Sequence, residues 1–218
     1  MMTSSARRSQ PRGRGSRERI LACAVDLFAR HGFEAMTMRQ LGEAAGLDNS
    51  SLYRHFPSKA ALVDAVLDRV AADVFSTVAP RFDPSIPPSL QILEDICAVA
   101  GLHLFDHPAA ARLIVHWLMS TGDAGPGLKV AVPASDTSRP AGKLVAHLLS
   151  WIAHGVKKGA LRKHAKLETL VVLFGALLLR PATYGHLLVS LEPRRSRAAA
   201  RKAWERELRA AVRGVFTP

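Results

Sequence analysis

Between Thr37 and Lys59 the chain concentrates side chains that can donate or accept hydrogen bonds, in an order suited to recognition rather than bond-making. Asn49, Ser50, Ser51, Tyr53, Arg54 and His55 all fall within the run NSSLYRH. Amides, hydroxyls and a guanidinium at that density suit the base edges and phosphates of a nucleic acid. A second group of polar rings lies further along. His103 and His107 are one helical turn apart, His116 and Trp117 follow, and His147, Trp151 and His154 share one face at i, i+4 and i+7. Imidazoles among Leu and Val suit an amphipathic pocket whose few polar groups orient a small molecule. Hydrogen-bonded core histidines are the alternative. The His103/His107 spacing also fits a metal pair, but no third ligand is identifiable, so no metal and no resident cofactor is expected. No G-x-S-x-G, P-loop or H-E-x-x-H occurs, and no enzyme is expected.

Composition narrows the partners. Apolar residues make up 48% of the chain and aromatics only 6%, which provides a core and favours helices over strands. The net charge of +12 calls for a polyanion, either nucleic acid or an anionic membrane surface. That charge is uneven. Residues 1–60 hold ten Lys/Arg against five Asp/Glu, and residues 193–218 hold eight against two, leaving the middle close to neutral. Cys23 and Cys97 are far apart with no CxxC spacing, and read as structural. The basic start is followed by no apolar stretch of a signal peptide. The longest apolar run, Leu170 to Leu179, meets Arg180 and Pro181 well short of the roughly 20 residues of a membrane span. A cytoplasmic protein without a membrane partner is the expectation.

These residues need elements to hold them. Residues 1–15 read as a disordered basic arm containing Arg7, Arg8, Arg12 and Arg14, residues 16–76 as a small helical domain, and residues 77–218 as a larger helical one. Helices are expected near 89–107, 108–121, 138–158, 166–190 and 194–216, with a loop over 122–136. In the small domain Ile20, Ala24, Leu27 and Phe28 give the first helix an apolar face, and Gly32 ends it, with Phe33 folding back. Thr37 and Gln40 make a capping box for a short second helix that stops at Gly46. Asp48 caps a third and Ser58 a fourth. A turn of about three residues with a glycine forces helices two and three into a sharp crossing, the helix-turn-helix geometry. Leu41, Ala45, Leu52 and Phe56 face inward, which leaves NSSLYRH presented outward. Lys59 opens the fourth helix against the helix dipole, a broken rule that marks a phosphate clamp.

The stretch RILACAVDLFARHGFEAMTMRQLGEAAGLDNSSLYRHFPSKAALVDAVL resembles the DNA-binding domain of the tetracycline-repressor (TetR) family. The likeness rests on the LFxxxGF stretch, the Thr37 start, the AAGL turn and the LYxHFxxKxxL run ending at Leu62. It implies an all-α fold of about nine helices: a three-helix DNA-binding head, a shared fourth helix, and a C-terminal bundle for ligand binding and dimerisation. It also implies a homodimeric repressor on double-stranded operator DNA, released by a small-molecule effector whose identity the sequence does not give. By position, Thr37 and Arg39 would touch DNA, Asn49, Ser50, Ser51, Tyr53 and His55 lie on the recognition helix, and Lys59 matches the phosphate-binding lysine. Many members carry a basic residue where this chain has Asn49, which can instead read adenine.

Two further expectations concern the last helices. Trp204, Leu208, Ala211 and Val215 form an apolar stripe that, with Leu170, Phe174 and Leu177, would build a four-helix dimer interface, an intramolecular core being the alternative. The arginines at 194, 195, 197, 201, 206, 209 and 213 read as a solvated face. A basic protein docking on anionic membrane and a helical enzyme using the histidine-lined cavity are the rival functions.

Overall fold

Apolar residues recurring every three or four positions dictate helices throughout, and the structure, a computed structural model, describes residues 12–81, 86–119, 140–162 and 196–217. Among these it contains eight α-helices and no strand. They are α1 (Arg12–Ala35), α2 (Met38–Ala45), α3 (Asn49–His55), α4 (Lys59–Val78), α5 (Leu90–Asp106), α6 (Pro108–Met119), α7 (Pro140–Lys157) and α8 (Arg197–Phe216). Residues 12–15, expected in the basic arm, already belong to α1. The 166–190 helix, the 122–136 loop and Arg7 and Arg8 lie outside the described residues.

Gly32 interrupts α1 with φ 77°, a left-handed backbone that glycine adopts without steric cost. The kink returns Phe33 onto Phe28, with ring centroids 4.9 Å apart. One apolar cluster joins head and body. Ile20, Ala24 and Phe28 of α1, Leu41 and Ala45 of α2, Leu52 of α3 and Leu62, Val66 and Val70 of α4 pack with Leu104, Ala111 and Leu113 of α5 and α6. Helix α4 thus belongs to both units, touching α1 on one side and α5 and α7 on the other.

A second cluster seals α8 onto α5. Trp204, Leu208, Val212 and Phe216 are buried against Leu93 and Cys97, with Trp151, Ile152 and Leu161 alongside. Two residues of the expected dimer stripe fall in this core. Trp204 and Leu208 fill the chain's own core, Ala211 is exposed, and Val215 is only partly buried. The buried register runs 204, 208, 212, 216, a strict i+4 ridge of the kind that packs helix on helix. Leu170, Phe174 and Leu177 lie outside the described residues. Burial among these side chains pushes the Cys97 thiol up to about 12, which leaves it an inert apolar filler.

Nor are the arginines of α8 merely solvated. Arg201 and Arg197 reach Asp106, Arg209 bridges Asp95 and Glu205, and Arg213 grips Glu94 through two bonds of 2.9 and 2.8 Å. Glu94 is 2% exposed, and its hydrogen bonds from Arg213 hold its carboxyl below the usual glutamate range. A depressed folded pKa gives stability that is complete above the ordinary value and lost as pH falls through the folded one. Glu94→Gln should therefore flatten the acid limb of a Tm-against-pH profile. Equal loss of Tm by both proteins on acidification would show that the pair contributes nothing.

Candidate nucleic-acid interface

The turn between α2 and α3 is built from caps at every step. Thr37 accepts from the Gln40 backbone N–H at 3.2 Å, while the Thr37 N–H donates to the Gln40 carboxamide at 2.8 Å. Gly46 closes α2 with φ 65°, donating its N–H to Glu43. Asp48 then starts α3, accepting from the Ser51 N–H at 2.7 Å and the Ser51 hydroxyl at 3.0 Å. Those two bonds keep the Asp48 carboxyl below its usual range.

On this frame α3 buries one residue of its own, Leu52, with Phe56 sealed at the C-cap. Arg17 of α1 lies over the Phe56 ring, 5.2 Å from its centroid. Everything else on α3 faces outward to some degree. Asn49, Ser50 and Arg54 are exposed, Ser51 and His55 are half-buried, and Tyr53 is 48% exposed. A tyrosine that open, on a helix this short, contributes little to packing. Thr37 and Arg39 are exposed at the start of α2, Arg39 in a loose pair with Glu43 at 3.5 Å. Of the residues expected on an outward face, Thr37, Arg39, Asn49, Ser50, Tyr53 and Arg54 are exposed and Ser51 and His55 are half-buried.

Two features of that surface went unread in the sequence. Arg54 donates to the Ser51 hydroxyl at 2.8 Å, so Asp48, Ser51 and Arg54 form a continuous clasp along α3. The signal was available in their spacing at i, i+3 and i+6. Lys59 donates to the Glu34 carbonyl at 2.8 Å, at the end of α1. Its place at the N-terminus of α4 thus has a structural reason: it satisfies the last turn of another helix, where cations are favoured. An ammonium has three donors, so this bond leaves two for a phosphate.

Of the ring-bearing residues expected around an effector, His103 and His107 come together, while the other described ones lie elsewhere. His103 and His107 stack, with centroids 4.3 Å apart, in a cleft of about 500 Å³ between α1, α4 and α6. His116 lies against Gly32 instead. Trp151 is core, whereas His147 and His154 are exposed on α7. The Trp117 side chain lies outside the described residues. Among those residues no helix is long and apolar enough to cross a membrane.

A fold of eight described helices with a capped, outward-facing third helix defines a helix-turn-helix protein with a helical body. Residues 20–66 match the family model of bacterial regulatory proteins, tetR family. The chain is 43% identical over 61 residues to the HTH-type transcriptional repressor KstR2 of Rhodococcus jostii, covering 28% of this chain and 30% of that protein. It is 34% identical over 94 residues to the HTH-type transcriptional regulator RutR of Escherichia coli, 43% of each chain. The matches thus span less than half the length of these relatives. Among solved structures, a TetR family transcription regulator from Marinobacter aquaeolei superposes with TM-score 0.64 at 18% identity, over 92% of this chain and 96% of that one. A TetR-like transcriptional regulator from Rhodococcus gives 0.61 at 19%, over 94% and 98%. The head thus matches the tetR-family model over residues 20–66, and the fold as a whole is that of these solved structures.

Proposed function

We propose that this protein is a transcriptional regulator, a repressor that binds double-stranded operator DNA through α3 as a homodimer and is released by a small molecule held in its C-terminal body. One observation carries the DNA half: Tyr53, Asn49, Ser50 and Arg54 stand exposed while Leu52, directly between them, is fully buried. The helix is anchored by a single apolar pin and offers the rest to a partner. The relatives named as repressor and regulator support the same reading through the head. Two recognition helices in successive major grooves must lie roughly 34–36 Å apart, which makes docking sensitive to subunit geometry.

Release follows from α4. It starts at Lys59 in the head and packs against α5 and α7 in the body, so a ligand that shifts the body tilts the head. The ligand must bind the non-docking state more tightly, or it shifts nothing. The protein's role is binding and not catalysis, and its site of action is the cytoplasm. Docking on an anionic membrane through α8 is the weaker reading, because Arg197, Arg201, Arg209 and Arg213 are already paired with carboxylates.

The test is affinity for duplexes selected from a random library, measured across salt. Lys59→Ala should weaken every sequence about equally and lower the salt slope by about one unit. A change in base preference instead would show that Lys59 reads sequence rather than clamping phosphate.

A further inference from the structure

Near its C-terminal end α3 carries an arginine whose head is drawn back onto the first turn of the same helix. Arg54 Nη2 donates to the Ser51 hydroxyl at 2.8 Å. That hydroxyl spends its one hydrogen on Asp48 Oδ2 at 3.0 Å, so it meets the guanidinium only as an acceptor. Asp48 is fixed independently, because Oδ1 accepts the Ser51 backbone N–H at 2.7 Å as the N-cap. The clasp therefore runs from a helix cap, through one serine, to a guanidinium. Hydrogen bonds from Ser51, with the charge of Arg54 adding to them, hold the Asp48 carboxyl below the usual aspartate range. The acceptor end of the clasp is thus ionised at neutral pH.

This placement bears on what Arg54 can contact. Recognition helices meet base edges with their N-terminal residues, and the Ser51 bond carries Arg54 Nη2 from the last turn to the first. Arg54 is exposed, so the bond orders a side chain that packing leaves alone. Ordering before contact lowers the rotamer entropy lost on contact. A guanidinium has five N–H donors, and the one given to Ser51 leaves four. The other cations of this surface are engaged differently: Arg39 pairs loosely with Glu43, and Lys59 donates to the Glu34 carbonyl. Arg54 meets a neutral hydroxyl and keeps its charge for a partner.

We infer that Arg54 reads a guanine in each operator half-site, with Ser51 and Asp48 as the residues that position it. Guanine offers two acceptors, O6 and N7, on its major-groove edge, and the planar fork of arginine matches both. Adenine puts its amino group where O6 stands, which sets donor against donor. The inference rests on the DNA-binding reading above and adds to it the base that α3 selects.

The test is selection of a duplex from a random library by the full chain, followed by affinities for its single-base variants. At one guanine position per half-site, wild type should lose about 5- to 150-fold on replacement by adenine. Arg54→Ala should abolish the discrimination at that position alone. Ser51→Ala leaves the N-cap intact, since residue 51 still gives Asp48 its backbone N–H, and should reduce the same guanine preference. Ser51→Thr returns the hydroxyl and should restore it. In an Arg54→Ala background Ser51→Ala should change discrimination no further, the coupling expected of a positioning residue. If Arg54→Ala weakens guanine and adenine duplexes alike, Arg54 holds a phosphate, and the base assignment fails while α3 stays on DNA. An undiminished guanine preference in Ser51→Ala would overturn the role of the clasp. A wild type that prefers no duplex would defeat the DNA-binding reading itself, and this inference with it.

Discussion

Tyr53→Ala should weaken binding to a selected operator by about 1–3 kcal/mol, roughly 5- to 150-fold, while leaving thermal stability nearly unchanged. The separation of the two effects follows from burial. Tyr53 is 48% exposed, whereas its neighbour Leu52 and the C-cap Phe56 are 0% and 2% exposed and hold α3 in place. Removing an exposed ring changes stability by within about 0.5 kcal/mol in either direction. Affinity by fluorescence anisotropy and Tm by calorimetry measure both quantities on the same samples. A variant that binds as tightly as wild type would remove Tyr53 from the interface. One that loses both together would make it a core residue.

Trp204→Ala carries the largest expected cost in stability, about 3–5 kcal/mol, because it empties the centre of the α5–α8 seam. Trp204 is 5% exposed, and its indole N–H donates to the Gly101 carbonyl at 3.3 Å. Truncation leaves a cavity and removes the only donor the indole offers. The loss should be independent of protein concentration, since the ring is buried within its own chain. Were it a contact between subunits, the deficit would shrink as concentration rises, by mass action. Urea melts at two widely separated concentrations distinguish these outcomes.

The head was readable because its elements are short and each is closed by local chemistry. Thr37 with Gln40, Gly46, Asp48 and Ser58 are caps whose partners lie within four residues, and all of them cap as expected. The body depends on pairings at long range, which spacing cannot resolve. The α8 stripe read as 204, 208, 211, 215 differs from the buried 204, 208, 212, 216 by one position in its second half. That shift changes which neighbours the helix faces, and the packing against α5 and α7 supplies the answer. The arginines of α8 likewise resemble a solvated face until Glu94, Asp95 and Asp106 are set beside them. Histidine spacing was the least informative signal. His147, Trp151 and His154 share a helical face, yet α7 buries the indole and exposes both imidazoles.

Lys59 has a structural partner besides the phosphate proposed for it. The sequence marks it as a cation at a helix N-terminus, against the dipole, and the structure gives it the Glu34 carbonyl. Its other two donors face no partner among the hydrogen bonds of the described residues, which is the capacity a phosphate would use.

Hydrogen exchange of the full chain, free and bound to a selected duplex, tests the central claim most directly. The strongest new protection should fall on residues 37–59, with the amides of α8 unchanged. Protection centred on α8 while α3 exchanges as in the free protein would contradict it.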